Sequence, residues 1–313
     1  NYNTALGGIA LFFNSTGNSN TATGFQTLFF NTSGNENTAT GYQSLFNNTT
    51  GELNVASGNE SMLSNTTGSR NTATGSKALR ANTIGVQNTA VGERAMLSNN
   101  QGSQNTALGA VSLRDNVNGN GNTAIGVAAL RKNFSGTANT AVGQGSLPTN
   151  LTGSFNTAVG SDVLASVNNG SFNSALGVNT DVTPGATNSM ALGANANALA
   201  SNRIRIGDGA INRIEVNVAL TVTSDGRFKK NISEKEVKGI DFIKKLRPVV
   251  YNFDGEKYTN FVTKNMPDST RKLFLKKDFS SVNHIRQSGF IAQEVEKAAK
   301  ESGYNFSGVS APE

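Results

Sequence analysis

The sequence predicts a mostly β protein, a parallel β-solenoid (β-roll) of 17-residue coils followed by a small α+β domain. Three observations carry that prediction. Asn-(Thr/Ser/Val)-Ala-x-Gly begins at Asn3 and runs to Asn173 in eleven copies at an unbroken spacing of 17. A second glycine keeps the same period from Gly17 to Gly170. From about residue 218 the repeat is gone, and charged sequence with helical periodicity replaces it. Self-similarity at a short fixed period marks a stacked-repeat architecture.

Each element follows from the register. Seventeen residues are too few for a helix pair, but they suffice for two short strands and two tight corners. The glycines are placed where the backbone would turn with positive φ. An asparagine stands three residues before the second glycine from Asn14 to Asn150, and its side chain suits a corner and can ladder from coil to coil. Counting each copy from its first asparagine, Ala at position 3 and Leu or Met at position 9 point into the coil, as at Ala22 and Leu28. Strand pairing at ~4.8 Å gives eleven coils a length of roughly 50 Å, stabilised neighbour by neighbour. Two long apolar side chains per coil make a thin core. Position 4 alternates away from the inward alanine, yet turns aliphatic along the chain: Val91, Leu108, Ile125, Leu176. An outward apolar stripe calls for a partner, and three identical rods about one axis supply it, so a homotrimer is expected.

Composition narrows the function. With no cysteine, disulfides and thiolate metal sites are unavailable, and neither a metal nor a cofactor is expected. Residues 1–217 hold 10 Lys+Arg against 9 Asp+Glu, and residues 218–313 hold 17 against 12. The basic balance therefore belongs to the last third, where acids are interleaved with it as on a solvated helical surface, which argues against nucleic-acid binding. No apolar run reaches the ~18 residues of a membrane span. The chain starts in mid-pattern, the expectation for a fragment. Acids in the repeat never recur as a carboxylate pair at matching positions, which weighs against the rival reading of a polysaccharide-degrading enzyme.

Within the repeat, aromatics crowd the first three coils. Phe12, Phe13, Phe25, Phe29, Phe30 and Tyr42 are candidates for a receptor-binding or glycan-binding surface, with packing at a subunit interface as the alternative and a bare spacer as the simplest reading. A threonine column at position 2 lacks the second flat column that an ice-binding array needs. Asn14, Asn31, Asn48, Asn65, Asn133 and Asn150 fit the N-glycosylation pattern, but corner chemistry explains them. Three domains are expected: a solenoid over 1–187, a shorter-repeat head and neck over 188–217, and an α+β module over 218–313.

The repeat resembles the left-handed parallel β-roll heads of trimeric autotransporter adhesins. The stretch 188–209, with Asn188, Ala191, Leu192 and Gly193, is especially similar, while the 17-residue coil is longer than that family's repeat. In the last third, Ile240, Ile243 and Leu246 recur at helical spacing before Pro248, Val249–Phe253 reads as a strand, and "QSGFIAQEVEKAAKESGY" as a strand entering a helix capped by Gly303. The motifs "SDGRFKKNI" (224–232), "LRPVVYNF" (246–253) and "GFIAQEVE" (289–296) resemble the intramolecular chaperone of endosialidase, the assembly domain of phage tailspikes and tail fibres. The same module occurs in the self-cleaving segment of myelin regulatory factor. That family continues into a further C-terminal helix, so the module is expected to be truncated at Glu313.

The resemblance implies an obligate trimer whose C-terminal module aligns three chains and then cuts itself free, in an extracellular fibre of a phage virion or bacterial surface. It places the cut between Thr223 and Ser224, with Ser224 as nucleophile and Lys229 as base. A hydroxyl needs such a base, and lysine serves if burial lowers its pKa. Asp225 would orient the site or cap the following backbone. The lone His284 stands in a polar stretch without a second imidazole and reads as structural or solvated.

Overall fold

The computed structural model describes residues 2–211, 214, 239–264, 271–272, 275–276, 278–284 and 286–304. The chain divides into two compact units, Asn1–Asp208 and Gly209–Glu313.

The first unit is a parallel β-solenoid. Eleven three-residue strands, β1 (Thr4–Leu6) to β11 (Ser174–Leu176), stand one per coil and pair in parallel, alanine on alanine: Ala22↔Ala39, Ala107↔Ala124. The sheet continues through β13 (Met190–Leu192) and β15 (Ile204–Ile206), giving thirteen strands. Between them β12 (Asp181–Val182) pairs with β14 (Asn197–Ala198) in a separate two-stranded ladder. The register steps by 17 as far as Ala175, then by 16 to Ala191 and by 14 to Arg205. The shortening falls in the stretch that resembles the adhesin heads.

Strand burial follows the expected alternation. Ala107 is fully buried in β7 (Thr106–Leu108), with Thr106 half-buried and Leu108 exposed. Opposite the alanines, Leu28, Leu45, Met62 and their equivalents to Leu164 form a second fully buried column. Each such side chain contributes roughly 1.5–3 kcal/mol on leaving water.

Two expectations need correction. Each coil from the first to the tenth holds one strand, not two. The return side is built from residues whose φ is positive although they are not glycine: positions 7, 9 and 17, as in Gln26 (55°), Leu28 (49°) and Glu36 (57°). The ladder between coils survives there, for Leu28 N–H donates to Ser44 O at 3.0 Å and Phe30 N–H to Phe46 O at 3.0 Å. A left-handed conformation costs an ordinary residue about 1–2 kcal/mol, and neighbouring coils hold it in place. The second glycine, in turn, is needed for clearance and not for φ. A Cβ on Gly119 would collide with Asn116 Oδ1 and Gly136 O.

The thin apolar core is completed by asparagine. Asn105, fully buried, donates from Nδ2 to Gly119 O (2.8 Å), while its Oδ1 accepts from Asn122 N (2.9 Å). A second column at position 12 runs parallel: Asn116 Nδ2 donates to Asn99 Oδ1 (2.7 Å) and to Gly119 O (2.9 Å). The position-15 carbonyl thus accepts one amide from each ladder. Buried polar groups satisfied in this way specify a single register at low cost. These amides are also the nitrogens that glycosylation would need, and corner chemistry has claimed them.

One largely buried carboxyl interrupts the pattern. Counted from Asn173, Asp181 falls at position 9, where earlier coils place Leu or Met. Burial pushes its pKa up to about 6, against the N–H groups of Ser166 (3.1 Å) and Val182 (2.8 Å) that favour the carboxylate. The folded pKa exceeds the unfolded one, so the stabilising proton is held below about pH 4 and lost as pH rises through 6. The last coils should therefore be more stable at pH 4.5 than at pH 7.5, by about 2 kcal/mol. Hydrogen exchange of residues 174–198 at the two pH values measures this, and Asp181→Asn should flatten the difference.

The second unit is described by itself. Helix α1 (Gly239–Ile243) is one turn long and ends before Pro248. Strand β16 (Val249–Asn252) follows, then α2 (Gly255–Val262), whose N-cap Asp254 accepts from Lys257 N (2.8 Å). A short α3 (Ser280–Asn283) leads to β17 (Arg286–Gly289), which pairs antiparallel with β16. Helix α4 (Ala292–Glu301) closes the unit, and Gly303 (φ 59°) terminates it as expected. Phe242, Val295, Ala298 and Ala299 form its small core with Leu246 and Tyr304. Ile214, Val216 and Val218 alternate with polar residues as a strand does, but Val216 and Val218 lie outside the described residues.

Candidate functional site

Two regions carry the candidate residues. In the solenoid, the 17-residue step brings equivalent positions into contact, so neighbours in a column are residues i and i+17. Position 10 carries Phe12, Phe29 and Phe46, stacked at 5.6 and 5.2 Å between ring centres. Position 11 carries Phe13 and Phe30, stacked at 5.4 Å, and the two columns meet edge to face, Phe29 against Phe30 at 4.7 Å. Such pairs add about 0.5–1.5 kcal/mol each beyond area burial. Phe25 and Tyr42 form a separate stacked pair at position 6, 5.9 Å apart. Of the six candidates, four gather into one cluster and two stand apart. The rings remain wet: Phe12 is 60% exposed and Phe13 48%.

Sequence reasoning missed what lies beside the cluster. Where position 11 changes from Phe30 to Asn47 and Ser64, an open groove of about 640 Å³ runs along the position-13 column. That column repeats one contact: Ser15 Oγ donates to Thr32 O (2.8 Å), Thr32 Oγ1 to Thr49 O, Thr49 Oγ1 to Thr66 O and Thr66 Oγ1 to Thr83 O (each 3.0 Å). A second exposed pair, Phe155 and Phe172, stacks at 5.0 Å at position 17. The position-4 stripe is exposed at Leu108, Ile125, Leu176, Leu192 and Ile206.

In the second unit the structure joins two of the three motifs. "LRPVVYNF" and "GFIAQEVE" meet through the β16–β17 ladder, with Val249 opposite Gly289. The Arg247 guanidinium grips the Glu294 carboxylate with two hydrogen bonds, Nε to Oε2 at 3.1 Å and Nη2 to Oε1. This lowers the Glu294 pKa and raises that of Arg247. Thr223, Ser224, Asp225 and Lys229 lie outside the described residues. His284 Nδ1 contacts Ser280 O at 2.5 Å, a local contact at the end of α3. Among the described residues no helix is long and apolar enough to cross a membrane.

A family model described as the chaperone of endosialidase matches residues 224–304, about a quarter of the chain. The match begins at the serine of the first motif and takes in all three. No curated protein matches the chain. A parallel β-solenoid followed by a chaperone-of-endosialidase segment is the make-up of a phage-tail-fibre-like protein with a C-terminal chaperone domain, and it is to such proteins that this chain is similar.

Proposed function

We propose that the chain is the protomer of a homotrimeric fibre from a phage tail or bacterial surface, adhesive through its first coils, whose C-terminal module assembles the trimer and then releases itself. The observation that carries this reading is the match of residues 224–304, placed directly behind a solenoid with an exposed aliphatic stripe. Three solenoids must come into register before they zip, because an unpaired coil edge recruits wrong partners. A compact module with local contacts folds early and can align them. Its removal leaves the rod kinetically trapped.

For release, Ser224 Oγ attacks the Thr223 carbonyl carbon. The new C–O bond forms, the C–N bond breaks, and Lys229 carries the hydroxyl proton to the departing Ser224 amine. Water then hydrolyses the ester and leaves a carboxylate on Thr223. The expected result is two fragments by intact mass, with a new N-terminus at Ser224. Ser224→Ala should give only full-length chain, and Lys229→Ala should slow the cut by about a hundredfold or more. Light scattering of the released rod should return three times its chain mass. Full-length chain from the unmodified sequence would sink the release step, and a monomeric rod would sink the trimer.

A further inference from the structure

The groove beside the aromatic cluster has a chemistry of its own. One wall carries the Phe13 and Phe30 rings, followed by Asn47 and Ser64, and the other carries the Ser15, Thr32, Thr49 and Thr66 hydroxyls. Each of those hydroxyl hydrogens is already spent on the carbonyl of the next coil. A hydroxyl has one hydrogen and two lone pairs, so what this column offers a ligand is a row of acceptors. The row repeats once per coil, ~4.8 Å, comparable to the advance per sugar in an extended hexose chain. No lining residue is charged.

We propose that this groove binds a neutral, hydroxyl-rich glycan chain lying along the rod. The assignment rests on the adhesive reading above and specifies its ligand. Sugar hydroxyls supply the donors that a row of acceptors lacks, and an apolar sugar face covers the Phe13 and Phe30 rings. An acidic glycan would bring a carboxylate to a groove with no cation, where its desolvation goes uncompensated. The site lies nine residues further along each coil than the position-4 stripe, so the stripe and the groove occupy different walls of the rod.

The test uses the full chain and calorimetric titration with six probes: the hexamers of cellulose, amylose, chitin and β-mannan as neutral chains, and those of galacturonate and sialic acid as acidic ones. At least one neutral hexamer is expected to bind, with both acidic hexamers tenfold or more weaker. Asn47→Lys fills the groove, and Lys132 occupies the same repeat position in a later coil, so the fold accepts the side chain there. That variant should lose at least tenfold in affinity, Phe30→Ala a similar amount, and Phe25→Ala, on the separate pair, less than twofold. Preference for an acidic hexamer overturns the assignment. Glycan binding equal in Asn47→Lys and the unmodified chain also overturns it, while leaving the chain an adhesin that binds elsewhere. Binding of no hexamer at all overturns the groove assignment and leaves adhesion to a receptor of other chemistry. Loss of trimer in Asn47→Lys, with no sugar bound by the unmodified chain, makes the groove a subunit contact and overturns the assignment too.

Discussion

Gly109→Ala is expected to break the rod in the middle and to cost more than 4 kcal/mol. The glycine sits at position 5 with φ 132°, and a Cβ there would lie 2.6 Å from Gly126 O and 2.7 Å from its carbonyl carbon. Those are backbone atoms of the next coil, so relief requires coils seven and eight to separate. Overpacking alone costs about 1–3 kcal/mol, and the forbidden φ and lost ladder bonds add to it. In a repeat array stability is carried between neighbours, and the two halves should melt separately in calorimetry. Gly121→Ala is the control. Gly121 also has positive φ (64°), but nothing lies within 4 Å of its Cβ position, and Ala138 fills the equivalent place in the next coil at φ 53°. It should cost only about 1–2 kcal/mol. Equal midpoints for the two variants would refute the clearance argument.

Asn105→Ala should be nearly as damaging, about 3 kcal/mol. The truncation leaves the buried N–H of Asn122 without its acceptor and takes one of two amides from Gly119 O. An orphaned buried donor costs ~1–3 kcal/mol, and the vacated space adds a cavity term. Urea unfolding measures the total. Exchange of the Asn122 amide should accelerate more than that of Asn54, four coils away.

The stacking of coils was legible because it is written as identity at a fixed distance. Ala22, Leu28, Asn31 and Gly34 each declare a column by recurring. The return side was not legible for a physical reason. Gln26, Leu28 and Glu36 are not residues that favour positive φ, and nothing in their type announces it. Adjacent coils impose the conformation through the ladder, a constraint no local pattern encodes. The second glycine was misread likewise, since a glycine needed for clearance and one needed for φ are the same letter. In the second unit β16, β17 and α4 follow their periodicity, and Gly303 ends α4 as its type suggests. The aromatic cluster was half legible. Phe12, Phe13, Phe29 and Phe30 are adjacent both along the chain and across coils, whereas Phe25 and Tyr42, in coils two and three, lie on another column. The groove stayed hidden because Thr32 and Thr49 look like ordinary corner residues until their hydrogens are traced.

The asparagine ladders also have a direction. In both columns the amide nitrogen points back to the preceding coil and the oxygen forward to the next: Asn37 to Asn20, Asn105 to Asn88, Asn48 to Asn31, Asn133 to Asn116. Backbone bonds between coils run both ways, Thr21 N forward to Asn37 O and Gly24 N backward to Leu6 O, with the forward ones in the majority. The side-chain amides of the two columns run one way. Two rows of amide dipoles are thus aligned head to tail through the interior, their positive ends towards the first coil. A helix sums its peptide dipoles in the same way, whereas here the side-chain rows run against the backbone majority and offset part of its polarity.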